Sequence, residues 1–146
     1  MKFELIIDAE KEEKTTVVAH SANDFIFKLE DLVRSYNGDN RMVGFRDDEI
    51  KPLEIDKIEC FIVLERKSYA VDIDGKKYRI SENLSSIENR LPSYFVRINK
   101  SAIANERRIK CFKRGFGGSV DAVFKSGFSE YVSRRCFSDL KRRYGI

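Results

Sequence analysis

The sequence predicts a mainly β domain with short helices, preceded by a small α/β region of about 50 residues. From Ile55 onward, apolar residues run or alternate over short stretches bounded by turn signals. Ahead of it, two β-branched or apolar stretches precede a single helical stripe. The chain is 146 residues long and 42% hydrophobic, enough for one core with an appendage and too apolar for disorder.

In order, Lys2–Ile7 (KFELII) and Thr15–Ala19 (TTVVA) read as strands. Ser21-Ala22-Asn23-Asp24 supplies capping residues for a helix carrying Phe25, Ile26, Leu29, Leu32, Val33 and Tyr36, with Gly38 after its end. Met42–Phe45 and Ile50–Leu53 read as extended pieces around the polar turn 46–49. Ile58–Leu64 is apolar almost throughout, as a doubly buried strand would be. Ser68–Ile73 and Lys76–Ile80 alternate on either side of Asp74-Gly75, a two-residue hairpin signal. Ser81 can cap a helix running to Arg90, with Leu84, Ile87 and Leu91 inward and Pro92 as its stop. Phe95–Ile98, Ile109–Lys113, Ser119–Phe124 and Glu130–Ser133 complete the strands, and a basic helix from about Arg135 to Tyr144 turns Phe137, Leu140 and Tyr144 inward.

The net charge of +4 conceals a strong polarity. Residues 1–96 hold 15 Lys and Arg against 20 Asp and Glu, whereas residues 97–146 hold 13 against 4. A basic third interleaved with aromatics points to a polyanion, nucleic acid above all. No apolar run approaches the roughly 20 residues of a membrane span, and the four-residue apolar start is no signal peptide. Three cysteines (Cys60, Cys111, Cys136) outside any CxxC pattern fit reduced core thiols in a cytoplasmic protein.

Enzymatic readings fare poorly, and neither metal nor cofactor is expected. His20 is the lone histidine, in the other predicted region from every cysteine, which argues against a Cys–His dyad. Gly115-Phe116-Gly117-Gly118 lacks a following Lys-Ser/Thr and reads as a turn, not a phosphate cradle. Asp47 and Asp48 sit in a turn without a matching partner. The cations are more informative, because they gather at strand breaks: Arg66-Lys67, then Arg97, Asn99, Lys100 and Ser101, then Ser133-Arg134-Arg135. Arg can hold guanine through two hydrogen bonds and Asn adenine, while Lys and Ser more often hold phosphate.

The phrase Phe95-Val96-Arg97-Ile98-Asn99-Lys100-Ser101-Ala102-Ile103-Ala104-Asn105, followed by Tyr131-Val132-Ser133-Arg134-Arg135, resembles the LytTR DNA-binding domain over about residues 51–146. Ile58-Glu59, Asn83-Leu84, Ile87-Glu88, Leu91-Pro92 and Leu140-Lys141 extend the likeness. The resemblance implies small packed β-sheets that read the major groove of double-stranded DNA with loops, at paired sites bound by two protomers. It also implies base contacts at Lys100 and Arg135, with a third from Arg66 or Lys67 in a loop of different length. Arg97, Asn99, Ser101 and Arg134 are expected to touch phosphate or brace the loops. Residues 1–50 are too few for a phosphoacceptor receiver domain, so the chain is similar to stand-alone, response-regulator-like LytTR proteins, which are often restrained by a membrane protein. That region is then a candidate for homodimerisation or partner binding, or a helix that merely covers its own strands. The rival readings are a protein-interaction module with a basic face, and a single-strand binder stacking bases on Phe95, Phe112 and Phe116.

Overall fold

The structure is a computed structural model and describes residues 1–38 and 40–145. Its first regular element is α1 (Asp24–Asn37), which starts where Asn23 Oδ1 accepts the Ile26 N–H at 3.1 Å. It ends where Gly38, at φ 77°, donates to the carbonyls of Arg34 and Ser35. The ten strands are β1 (Arg41–Arg46), β2 (Glu49–Glu54), β3 (Ile58–Leu64), β4 (Lys67–Asp72), β5 (Lys77–Ile80), β6 (Phe95–Asn99), β7 (Ala102–Asn105), β8 (Ile109–Arg114), β9 (Val120–Phe124) and β10 (Ser129–Val132). Two further helices, α2 (Leu84–Asn89) and α3 (Arg134–Arg143), complete the fold.

Seven strands form one antiparallel sheet in the order β2-β1-β5-β4-β3-β7-β6, and three form a second in the order β10-β9-β8. The large sheet is the middle layer. One face packs Phe27 of α1 and Leu84 and Ile87 of α2 with Phe61, Tyr78, Tyr94 and Ile103. The other packs Cys60, Ile62, Val71, Ile98 and Ala102 against Val120, Ala122 and Phe124 of the small sheet and Leu140 of α3. Burial on both faces explains the unbroken apolar run of β3. A bulge at Glu59 lets Ile58 and Phe61, an odd number of residues apart, enter the same core. The buried Glu59 carboxylate accepts the Ser126 N–H at 3.1 Å and the Ser126 hydroxyl, tying the β9–β10 turn to β3.

Four local expectations need correction. Lys2–Ile7 and Thr15–Ala19 are not strands; they flank a turn at Asp8–Lys11, exposed and without a ladder between them. A two-stranded ribbon with nothing to cover its face is marginal in water, so the α/β character of this region comes from α1 and the β1–β2 hairpin. That hairpin extends the large sheet through the Phe45↔Arg79 pair. Helix α1 buries Phe27, not the expected stripe, and leaves Phe25, Leu32 and Tyr36 exposed. It docks instead through polar residues at the same helical spacing. Glu30 accepts from the Ser93 N–H at 2.7 Å, Asp31 from the Tyr94 hydroxyl at 2.6 Å, and Arg34 donates to the Arg90 carbonyl at 2.8 Å. Helix α2 begins at Leu84 because Asn83, not Ser81, accepts the Ser86 N–H at 2.8 Å. Tyr144 lies at the C-cap of α3, 41% exposed, and turns only partly inward, toward Glu106.

Gly44 in β1 packs tightly between Leu53 of β2 and Tyr78 of β5. A Cβ there would lie 2.6 Å from Leu53 Cδ1 and 2.7 Å from Tyr78 Cβ. Gly44→Ala should therefore destabilise the fold by about 1–3 kcal/mol through overpacking. Urea unfolding should give a lower midpoint at unchanged slope; an unaltered midpoint would mean the hairpin yields without cost.

Candidate nucleic-acid interface

The three cation-bearing breaks meet at one end of the molecule, and backbone hydrogen bonds bring them there. Glu65 and Arg66 both adopt left-handed φ, 49° and 67°, the geometry of a two-residue turn that matches strand twist. It leaves Arg66 and Lys67 exposed at the β3–β4 tip. Next to that tip, the Val63 N–H donates to the Ser101 carbonyl at 2.9 Å, which joins it to the β6–β7 turn. The Ser133 N–H in turn donates to the Ile98 carbonyl at 2.8 Å, holding the start of α3 beside the end of β6.

Within the β6–β7 turn, the polar residues divide into braces and free ends. Asn99 Oδ1 accepts the Ser101 N–H at 2.7 Å, and its Nδ2 donates to the Tyr131 carbonyl at 2.6 Å and to Glu130 Oε1 at 3.3 Å. All of its amide atoms serve the protein, so Asn99 orders the turn. Arg97 donates through Nε and Nη2 to Glu88 Oε2 at 3.1 and 2.7 Å, and through Nη1 to the Lys100 carbonyl at 2.9 Å. Between bracing and phosphate contact, its geometry favours bracing. Lys100 contributes only that carbonyl to the network, and its side chain is exposed, as is Ser101.

At α3, Ser133 Oγ accepts the Cys136 N–H at 3.2 Å and caps the helix. Arg134 and Arg135 are its first two residues, both exposed. The positive end of the helix adds to their field and favours an anion there. Sequence reasoning missed the anchor at the far end of α3. Arg143 donates to both oxygens of the buried Glu106 carboxylate, at 2.7 to 3.0 Å, and to the Ser93 carbonyl at 2.5 Å. The Arg142-Arg143 pair was visible only as charge.

Lys100 and Arg135 line a single concavity of about 820 Å³, with Arg97, Asn99, Ser133 and Arg143 among its walls. Arg134 lies outside it, in a neighbouring concavity of about 460 Å³ with Gly117, Gly118 and Lys141. Arg66 and Lys67 line neither; the Val63–Ser101 bond is what brings their turn alongside. The aromatics expected as a stacking platform are dispersed: Phe95 is buried in the first core, Phe112 packs on Phe137 at 5.4 Å, and Phe116 is exposed. His20 is exposed in the N-terminal stretch, and among the described residues no group of three His, Cys, Asp or Glu could hold a metal. Burial pushes the Cys60 thiol well up, and Cys111 and Cys136 are unpaired and half-buried. Among the described residues no helix is long and apolar enough to cross a membrane.

Comparison with known proteins identifies the family and the fold. The LytTr DNA-binding domain family matches residues 48–145. Two relatives from Staphylococcus aureus, of strains MSSA476 and bovine RF122 / ET3-1, bear the description uncharacterized HTH-type transcriptional regulator. They are 28% and 29% identical over 147 residues, spanning 100% of this chain and 99% of their own. A solved LytTr DNA-binding domain from Bacillus cereus superimposes with a TM-score of 0.66 at 19% identity, covering 73% of this chain and 98% of its own, a likeness of fold.

Asn99 is the residue on which the turn depends most. Asn99→Ala should lower stability by about 1–3 kcal/mol, because the Tyr131 carbonyl and Ser101 N–H lose their partner. Amide exchange at Ser101 should quicken in the variant; an unchanged rate would show that the turn holds without it.

Proposed function

The chain belongs to the LytTR family of DNA-binding domains, and from that premise we propose that it is a sequence-specific transcriptional regulator of double-stranded DNA. The observation that supports this reading most is the shared concavity of Lys100 and Arg135, two exposed cations 35 positions apart in the chain. In this mechanism the basic end steers the protein to the duplex, and backbone contacts then fix its register. Ser101 and Arg134 hold phosphate, while Lys100, Arg135 and one of Arg66 and Lys67 reach base edges in the major groove. Arg97 and Asn99 act through the turn they brace. No catalytic step belongs to this reading, and the protein works in the cytoplasm.

Residues 51–146 are the DNA-reading unit in this proposal, and residues 1–50 are the contact region for a second copy or for a restraining membrane protein. The exposed Phe3, Ile7, Val18, Leu32 and Tyr36 support the latter role, since such a concentration of apolar side chains in water is characteristic of interaction surfaces. Two protomers on paired sites would suit the single basic end of each chain.

Fluorescence titration of a duplex selected by the protein from genomic fragments tests the reading. If about six phosphates are neutralised, the log–log slope of affinity against salt should lie near −5; an affinity indifferent to salt would sink the proposal and favour the interaction module. Competition by single strands should be weak, since Phe95 and Phe112 are occupied in cores.

Arg135→Ala should weaken binding to the selected duplex by about 1–3 kcal/mol, and by less on a scrambled one. An equal loss on both duplexes would make Arg135 a phosphate anchor.

A further inference from the structure

The register of the small sheet brings a fourth loop to the basic end. Arg114 pairs with Val120, and Val120 with Val132, so the end of β8, the start of β9 and the end of β10 stand level. Ser133 and α3 follow Val132 directly, and the β8–β9 loop, Gly115–Ser119, therefore stands beside the start of α3. Gly117 and Gly118 share a concavity with Arg134, Phe137, Ser138 and Lys141. On a helix of 100° per residue, these four occupy the side opposite Arg135, Asp139 and Arg143, which face the Lys100 concavity. The helix start thus separates two adjoining halves of one basic surface.

Phe116 sits at the tip of this loop, 104% exposed, the most exposed large apolar side chain among the described residues. Its backbone is held: the Ser119 hydroxyl donates to the Phe116 carbonyl at 3.0 Å, and the Gly115 N–H donates to the Ser119 carbonyl at 2.9 Å. Gly117 and Gly118, at φ 69° and 78°, allow the turn, and a Cβ at either would meet nothing within 4 Å. Lys113 and Arg114 precede it, both exposed. An exposed aromatic ring on a held backbone, following Lys113 and Arg114 and beside the start of α3, has an apolar target on the duplex that the three turns are proposed to meet. Thymine methyl groups line the major groove, and base faces become available where a step opens.

We propose that Phe116 is a further duplex contact, laying its ring on an apolar surface of a base across α3 from Lys100 and Arg135. The inference rests on the duplex-binding reading and extends the footprint to both sides of α3. It makes part of the specificity apolar, where charge alone cannot distinguish sequences.

The test uses the full chain and a duplex it selects from a random library. Phe116→Ala should bind that duplex about tenfold more weakly, lose little on a scrambled duplex, and melt as the parent does, since the ring touches no core. Phe116→Trp should restore the affinity. Uracil in place of thymine should weaken the parent and not Phe116→Ala if the ring meets a methyl. A 2-aminopurine probe should brighten with the parent and not the variant if it enters an opened step. Silence in both arms overturns the proposal, as does equal affinity of parent and Phe116→Ala; the latter leaves duplex binding intact. A parent chain that selects no duplex overturns both.

Discussion

A strand buried on both faces can satisfy its backbone only through its two neighbours, and β3 is in that position. Its hydrogen-bonding edges are filled by β4 and β7, and its side chains alternate between the two cores. The three cation-bearing breaks of the basic end are each linked back to β3 through hydrogen bonds. The β3–β4 tip continues it, the β6–β7 turn meets it at Val63, and the small sheet is tied to it through Glu59 and Ser126. Rigidity at the basic end is a consequence of burial in the middle.

Glu59 illustrates how a costly group contributes to that arrangement. A carboxylate shut away from water is unfavourable unless hydrogen-bonded. Here the Ser126 N–H and hydroxyl supply donors, and the bulge at Glu59 aims the side chain at them. Glu106 follows the same rule at the opposite end of α3, where Arg143 satisfies both carboxylate oxygens. One buried acid holds the turn of the small sheet and the other holds the terminal helix, so both of these acids serve position. The exposed cations are left to act outward.

The N-terminal helix is attached by a different chemistry. Asp31 accepts from the Tyr94 hydroxyl and from Arg107 at 2.6 Å, and Arg107 stacks over Tyr94 with 4.9 Å to the ring centre. Burial, and then the Asp31 carboxylate, push the Tyr94 hydroxyl far up, so it stays a donor at any physiological pH. This polar seam covers the helix face around Phe27 and frees the face around Leu32 and Tyr36. In the proposed reading, that exposed apolar face is what the helix offers to a second contact.

Periodicity and turn chemistry, which reside in neighbouring residues, were enough to read β3 to β6, the Gly38 stop of α1, the terminal helix and the polarity of charge. The motif around Arg97–Ser101 and Tyr131–Arg135 was likewise legible, because its residues are contiguous. Strand β7 escaped notice, since four small or apolar residues carry no alternation until β3 and β6 flank them. The stretches 2–7 and 15–19 have strand composition but no partner, and composition cannot supply one. Which cations brace and which stay free was equally beyond local pattern: Arg97 is engaged by Glu88 and Asn99 by Tyr131, while Lys100 and Arg135 remain exposed. The sequence by itself determined most of the elements and the sign of the surface. Only tertiary structure decided which side chains were committed inward, because hydrogen-bond partners and strand neighbours are chosen by distance in space.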